Sequence, residues 1–384
     1  MIPVPAPIIE QIKLRKSDNR QDFLLLFSMI GILIIGLLVL ASASYVSDGI
    51  SKLIRQLIFV AAGIGGTIFF SYYDYRIFNK FRRPFYFWTI IALVGIMFTP
   101  EINGAHSWLK LGSISLQPSE FAKFTMIIAF ASLLSRFGNQ IKKIPRFIHS
   151  LLYFGLPILL ILMQPDMGTA TIMCLICLVM LIIAGVRWWI LGSMLGAVLL
   201  LFIIAWNTNL IKPYQKDRLN FMNAESKGGG YHQKQARIAI GSGGFFGKGP
   251  FHSTQAQRGF LPEQDTDFIF AVLGEEYGFI GCLLVLGLYS VMLWRALRMT
   301  EEADTIFGRL VAGGISAMFV GHILINVSMN LTLSPVTGIP LPFISYGGSN
   351  MLTNLLLIGV LLNISKHCQP RRQWAADDTL IKTI

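Results

Sequence analysis

Long apolar runs, each bounded by short polar or basic stretches, recur along this 384-residue chain. They fall at about Phe23–Ala43, Leu53–Ser71, Pro84–Thr99, Phe121–Leu134, Leu151–Met163, Thr169–Ala184, Trp188–Trp206, Phe268–Trp294, Leu310–Leu331 and Met351–Ser365. A helix of ~20 apolar residues crosses a bilayer core. Several runs are shorter, so flanking polar residues must extend into the helices. The pattern predicts an all-α polytopic membrane protein with about ten transmembrane helices. Residues 1–22 form a polar tail, 23–366 a single transmembrane domain and 367–384 a second tail. One long polar insertion, 207–266, separates the seventh and eighth runs. Residues 1–22 lack a short apolar core with a small-residue cleavage site, so the first run is expected to remain as a span. No tandem repeat stands out, and the two halves show no clear inverted similarity of the kind many transporters carry.

Composition agrees. Only 14% of residues are charged and 54% are hydrophobic, where a soluble domain carries about 25% charged residues. The net charge of +12 is unevenly placed. Counting both termini as cytoplasmic puts Lys13 to Arg20, Arg76 to Arg83, Arg136 to Arg146, Arg187, Arg295 to Arg309 and the C-terminal cations inside. The short outer loops then hold only Lys52 and Lys110, an asymmetry that orients the chain. It places the long insertion outside, where no ATP or nucleotide sugar is expected. No basic folded face suggests nucleic acid. Cys174 and Cys177 are spaced CxxC inside an apolar run without a second pair, which suits packing better than zinc or redox chemistry.

Candidate chemistry sits in the outer segments. In QPSEFAKF, Pro118 suits a first helical turn, and Glu120 and Lys123 share one helix face. They form either a structural ion pair or part of a cavity wall. In QPDMGT, Asp166 can cap the following helix. The run GSGGFFGKG, 241–249, lacks the spacing of a nucleotide phosphate loop. Its glycines would still let backbone N–H groups approach an anion or a sugar. Lys212, Lys216, Arg218, Lys234, Arg237, Lys248 and Arg258 supply positive charge, either towards anionic membrane lipid or as a clamp for a diphosphate-bearing lipid. Glu263, Asp265 and Asp267 crowd five positions at a membrane boundary, an arrangement suited to proton transfer. Thr266 or Asp267 could instead cap the eighth helix. His322, Asn326 and Asn330 form a polar stripe best suited to interhelical hydrogen bonds. The proline- and glycine-rich stretch 334–350 cannot be a regular span and is expected to line a cavity, sharing an outward vestibule with the long insertion.

The QPSEFAK, QPDMGT, YHQKQARIAIGSGGFFGKG, FLPEQDTDFIFAVLGEEYGF and GIPLPFISYGGS stretches, in this order, resemble the SEDS family (shape, elongation, division and sporulation) of bacterial cell-wall proteins. The wording of GYHQKQARIAIGSGG and SPVTGIPLPFISYGG is closer to the elongation branch than to the division branch. The resemblance implies a peptidoglycan glycosyltransferase that polymerises lipid II in the bacterial inner membrane, its active site facing outward, with a class B penicillin-binding protein as partner. It implies that Asp267 is the essential carboxylate and that Glu120 and Lys123 belong to the site. The general base would be Asp267; Lys123, Arg218, Arg237 and Lys248 are candidates to meet the diphosphate, with a divalent cation as the alternative. Glu263, Asp265 and Trp108 complete the expected substrate-binding set. Two positions depart from the family pattern. Ser107 precedes Trp108 where a basic residue is usual, and Asp265 stands where a His is common, so Asp265 could share the role of Asp267. A lipid flippase and a scaffold for the penicillin-binding protein remain the competing readings.

Overall fold

The computed structural model describes residues 22–45, 50–99, 107–111, 114–194 and 229–368, together with positions 196 and 200. The helices are α1 (Phe23–Ser44), α2 (Ile50–Tyr72), α3 (Arg82–Ile96), α4 (Pro118–Phe137), α5 (Ile144–Met163) and α6 (Met167–Ile183). There follow α7 (Gly229–Gly243), the short α8 (Thr254–Gln257), α9 (Ile269–Glu302), α10 (Ile306–Asn330) and α11 (Gly348–Lys366). A two-stranded antiparallel hairpin, β1 (Leu109–Leu111) with β2 (Ile114–Leu116), precedes α4 and pairs Leu109 with Leu116. Nine of the ten predicted runs match these helices to within a few residues; of the seventh, 188–194, 196 and 200 are described. Among the described residues, seven helices are long and apolar enough to cross a membrane. At 15 and 17 residues, α3 and α6 fall short of a straight span.

The helices form an inner and an outer set. In the most apolar stretch of α4, α10 and α11, 72%, 78% and 78% of residues are buried, against 22–44% in α1, α2, α5 and α9. The inner helices carry the polar residues: Glu120 and Lys123 on α4, His322, Asn326 and Asn330 on α10, and Asn350, Asn354 and Asn363 on α11, all buried. The sequence pattern has a physical reason. Polar side chains are costly against lipid and are tolerated where protein partners surround them. The outer helices turn Ile, Leu and Phe outward, as lipid contact allows. Small residues bring backbones together: α2 lies against α11 at Gly63 and Gly66, and Thr67 Oγ1 donates to the Leu355 carbonyl at 2.7 Å.

Two irregular features interrupt this bundle. Helix α9 is broken at Gly278, whose φ of 64° and ψ of −161° only glycine adopts readily. The break leaves carbonyls of the preceding turn open. The glycine-rich run meets them: Lys248 N donates to Glu275 O and Gly249 N to Glu276 O, both at 3.0 Å. In return Phe279 N donates to Gly244 O at 2.9 Å and Ile280 N to Phe245 O at 3.2 Å. The close approach demands glycine: a Cβ at position 247 would lie 2.1 Å from Glu276 O. These glycines therefore dock backbone on backbone. The amides of Lys248 and Gly249 expected for an anion or sugar are engaged within the fold.

The second feature is the irregular stretch 331–347, whose later part, 339–345, is mostly buried. Its polar backbone is met by side chains from the surrounding helices. Asn326 Nδ2 donates to Ile339 O at 2.8 Å, Tyr289 Oη donates to Pro342 O, and Gln56 Nε2 donates to Ser345 O at 3.2 Å. Non-helical backbone at this depth is stable only with such partners.

Gly247→Ala places a methyl into the Glu276 carbonyl at a positive φ of 81° and should destabilise by on the order of 2 kcal/mol or more. Gly241→Ala, in open space on helix α7, should be neutral or mildly stabilising. Thermal melting of both purified variants checks the docking; equal midpoints would count against it.

Candidate active site

Three of the singled-out segments converge at one end of the inner helices. Pro118 opens α4 at its first turn, so Glu120 and Lys123 follow on one face. Lys123 Nζ lies 2.8 Å from Glu120 Oε1 and 2.9 Å from His322 Nε2, and both α4 side chains are almost wholly buried. A lysine ammonium only donates, so His322 accepts at Nε2 and gives its Nδ1 proton to Pro340 O at 3.1 Å. Asp166 caps α6 by accepting from Thr169 N at 3.0 Å, as its position in QPDMGT predicts. Its other oxygen accepts from Gln117 Nε2 at 3.0 Å and from Ser119 Oγ at 3.3 Å, which ties α6 to the start of α4. Gln117, Glu120, Lys123, Asp166, His322 and Gly338 line a small cavity of about 30 Å³. Glu120 Oε2 is buried beside it without a hydrogen-bond partner among the described residues.

Asp267 does not itself line this cavity but lies beside Gly338, which does. A Cβ at Gly338 would come 3.6 Å from Asp267 Oδ2, so a bare backbone segment faces the carboxylate. The Asp267 carbonyl accepts from both Asn326 Nδ2 and Asn330 Nδ2 at 3.0 Å. The polar stripe on α10 thus makes interelement hydrogen bonds, and it holds the candidate base. Phe268 occupies the N-cap position of the helix that follows, and Asn330 Oδ1 accepts from Ala271 N at 3.2 Å.

The three carboxylates of 263–267 do not act as one cluster. Glu263 is exposed, at a positive φ of 52°, and its side chain accepts from Thr266 Oγ1 at 3.1 Å. Asp265 is buried in an ion pair with Lys52 Nζ at 2.6 Å. The pairing engages Asp265 Oδ2 with an ammonium. Lys248 is likewise no open cation: it pairs with the fully buried Glu275 at 2.5 Å and donates to Thr254 Oγ1 at 2.8 Å. Glu275 also accepts from Ser253 Oγ and from Thr254 N at 2.9 Å, so it ties residues 248–255 to α9.

Arg237 is exposed on α7 and does not line the cavity; Trp108 is also exposed, beside a buried Ser107 that donates to Gln164 O at 3.3 Å. Arg218 lies outside the described residues. Gln233, on α7, donates to Ser334 O at 2.6 Å, which joins the C-terminal part of the long insertion to the 334–350 stretch. Near Asp267, His232 packs on the Phe268 ring; partial burial lowers its pKa, opposed in part by Glu263. Among the described residues no three His, Cys, Asp or Glu side chains are grouped to hold a metal ion. Sequence reasoning missed Lys52 and Gln117. The i,i+3 and capping signals that reveal Glu120, Lys123 and Asp166 have no counterpart for Lys52, whose partner lies 213 positions away.

An inner core of helices that carry buried polar residues, with seven helices long and apolar enough to cross a membrane among the described residues, makes this a polytopic membrane protein. The chain belongs to the FtsW/RodA/SpoVE family, described as cell cycle protein, whose model matches residues 22–370. It is 35% identical over 353 residues to the peptidoglycan glycosyltransferase MrdB of Escherichia coli (strain K12), covering 90% of this chain and 94% of that one. It is 31% identical to the peptidoglycan glycosyltransferase RodA of Treponema pallidum, over 90% of this chain and 97% of the relative. Among solved structures it resembles a chain of a peptidoglycan synthase complex that coordinates polymerization and crosslinking, with a TM-score of 0.78 and 28% identity, covering 90% of this chain and 98% of that one. The rod-shape-determining protein RodA of Thermus thermophilus superposes with a TM-score of 0.68 at 27% identity, over 91% and 98% of the two chains.

Lys123→Met strands the Glu120 carboxylate and should cost about 3–5 kcal/mol. Adding Glu120→Gln removes the stranded charge and should restore most of the thermal midpoint. A double variant as unstable as Lys123→Met alone would sink the assignment of this pair as mutual charge compensation.

Proposed function

We propose that the protein polymerises lipid II into β-1,4 glycan strands, with Asp267 as the general base of an inverting glycosyl transfer. The observation that carries this reading is the placement of Asp267: its main chain is gripped by Asn326 and Asn330, and its carboxylate stands beside Gly338, one of the residues that line the cavity. A sugar hydroxyl is too weak an acid to attack unaided at neutral pH. Asp267 accepts the proton from the 4-hydroxyl of the acceptor sugar as that oxygen bonds to the donor's anomeric carbon. The bond from that carbon to the phosphate oxygen breaks, and the lipid diphosphate leaves with the electron pair. Attack from the face opposite an α-linked diphosphate gives the β product, so one base suffices and no glycosyl-enzyme intermediate forms.

The leaving diphosphate needs positive charge. Lys123 is enclosed by Glu120 and His322, and Lys248 is neutralised by Glu275, so neither presents an open cation. That role falls to the exposed Arg237 and to Arg218. Lys123 shapes the cavity wall instead. Glu263 and Trp108, both exposed at this end, are assigned to substrate contact.

The site faces outward across the bacterial inner membrane. The exposed cations Lys80, Arg83, Arg136, Lys142, Lys143 and Arg146 gather at the opposite helix ends, as the positive-inside pattern requires. The names of the relatives, and the synthase complex among the structural neighbours, favour a role in elongation beside a class B penicillin-binding protein. A flippase is less well supported, because Glu120, Lys123, Asp166 and Asp267 gather at one end of the bundle instead of tracing a path through it.

Purified protein, with its penicillin-binding partner, is given lipid II in detergent, where no bilayer remains to flip across. Glycan chains resolved by gel should appear and fall by ~10²–10⁴-fold in Asp267→Asn. Polymer from the Asp267→Asn variant at the wild-type rate removes Asp267 as the base. No polymer from either protein, beside an active control polymerase, favours the flippase or scaffold.

A further inference from the structure

Three successive carbonyls, at 265, 266 and 267, are each captured. Tyr346 N donates to Asp265 O at 2.8 Å, Ser345 Oγ donates to Thr266 O at 2.6 Å, and the two α10 asparagines hold Asp267 O. The turn that leads in is equally tight. Glu263 O accepts from the amides of Thr266, Asp267 and Phe268 at 3.1–3.2 Å. One tie in this assembly comes from a different quarter. Lys52, on the first turn of α2, reaches Asp265 Oδ2 at 2.6 Å, and its ammonium lies 5.9 Å from the centre of the Tyr346 ring. One turn on, Gln56 is fully buried; it donates to Ser345 O and accepts from Gly347 N, both at 3.2 Å.

Lys52 and Gln56 are four apart and share a face of α2. That helix is itself locked to α11 through Gly63, Gly66 and Thr67. The α2–α11 pair is therefore a rigid frame, and these two side chains are the struts that run from it to the segment carrying Asp267. A charge-assisted bond to a nearly buried carboxylate is the stiffer of the two. We infer that Lys52, acting through Asp265, is a positioning residue that sets where the Asp267 carboxylate stands relative to the cavity. This rests on the reading of Asp267 as the base. It also gives Asp265 a function distinct from proton transfer: it is the receiving end of the strut.

A misplaced base slows the chemical step while leaving substrate contacts made elsewhere intact. Displacement on the order of 1 Å lowers turnover by up to ~10²-fold. The test is steady-state polymerisation by the full-length protein with its partner, on lipid II in detergent, with kcat and KM resolved. Lys52→Met and Asp265→Asn should each lower kcat by roughly tenfold or more with KM nearly unchanged. The charge-exchanged double variant, Lys52→Glu with Asp265→Lys, should recover kcat to within a few-fold of wild type, as re-formed pairs do in a double-mutant cycle. Thermal midpoints are measured on the same samples, and a variant that has lost its wild-type melting transition is replaced by Lys52→Gln or Asp265→Ser. The inference is overturned if the single variants keep wild-type kcat, if KM alone rises, or if the exchanged pair is no better than the two single losses combined. Asp267→Asn runs alongside. If it is inactive while the single variants turn over normally, only the positioning role falls; if it is active, the reading of the base falls and takes this inference with it.

Discussion

A chain segment without regular hydrogen bonds rests inside a low-dielectric bundle only if other groups meet its amides and carbonyls. The part of the irregular stretch from Ile339 to Ser345 is such a segment, and much of the protein is arranged around that demand. Gln56 on α2, Tyr289 on α9 and His322 and Asn326 on α10 all direct polar atoms at its carbonyls. The same residues then set the site. His322 hands its remaining ring nitrogen to Lys123, and Asn326 passes from Ile339 O to Asp267 O. A structural requirement of the backbone and the geometry of the cavity are thus met by one set of side chains, which explains why polar residues concentrate on the helices most removed from lipid.

The break at Gly278 works by similar logic in reverse. Interrupting α9 exposes carbonyls, and the glycine-rich run supplies amides to them. Glu275 reinforces the junction from the side-chain direction, with Lys248, Ser253 and Thr254 around it. A buried carboxylate so fully bonded is stable where an unpaired one is not. The long insertion is therefore anchored at its C-terminal half by backbone and by one saturated acid, close to the turn that presents Asp267.

Local signals in the sequence predicted what is local in the structure. Apolar runs marked the helices, Pro118 and Asp166 marked helix starts, and the spacing of Glu120 and Lys123 marked a shared face; each is decided within a turn or two. The prolines and glycines of 334–350 showed that this stretch could not be a regular helix throughout, and it is irregular up to 347, after which α11 begins. What misled was proximity in sequence. Glu263, Asp265 and Asp267 read as crowded charge, yet one faces solvent, one meets Lys52 and one stands at Gly338. Glycines in 241–249 announced that something approaches closely, but not that it is the broken turn of α9. The partner of Lys248 lies 27 residues on, and that of Lys52 lies 213 residues on. Such pairings depend on how helices are stacked, which no short window of sequence contains.

The bond between Gln56 and Ser345 joins residues 289 positions apart. A ribosome adding ~5–20 residues per second takes roughly 15–60 s to cover that interval. Through that time α2 waits in the membrane with a buried-type glutamine whose native partner has not yet been made, and for the first 213 residues with a lysine still awaiting Asp265 as well. The site is thus a late product of biosynthesis, closed only when the last inner helix arrives. A chain that stops short of α11 has every candidate catalytic side chain and no frame to hold them.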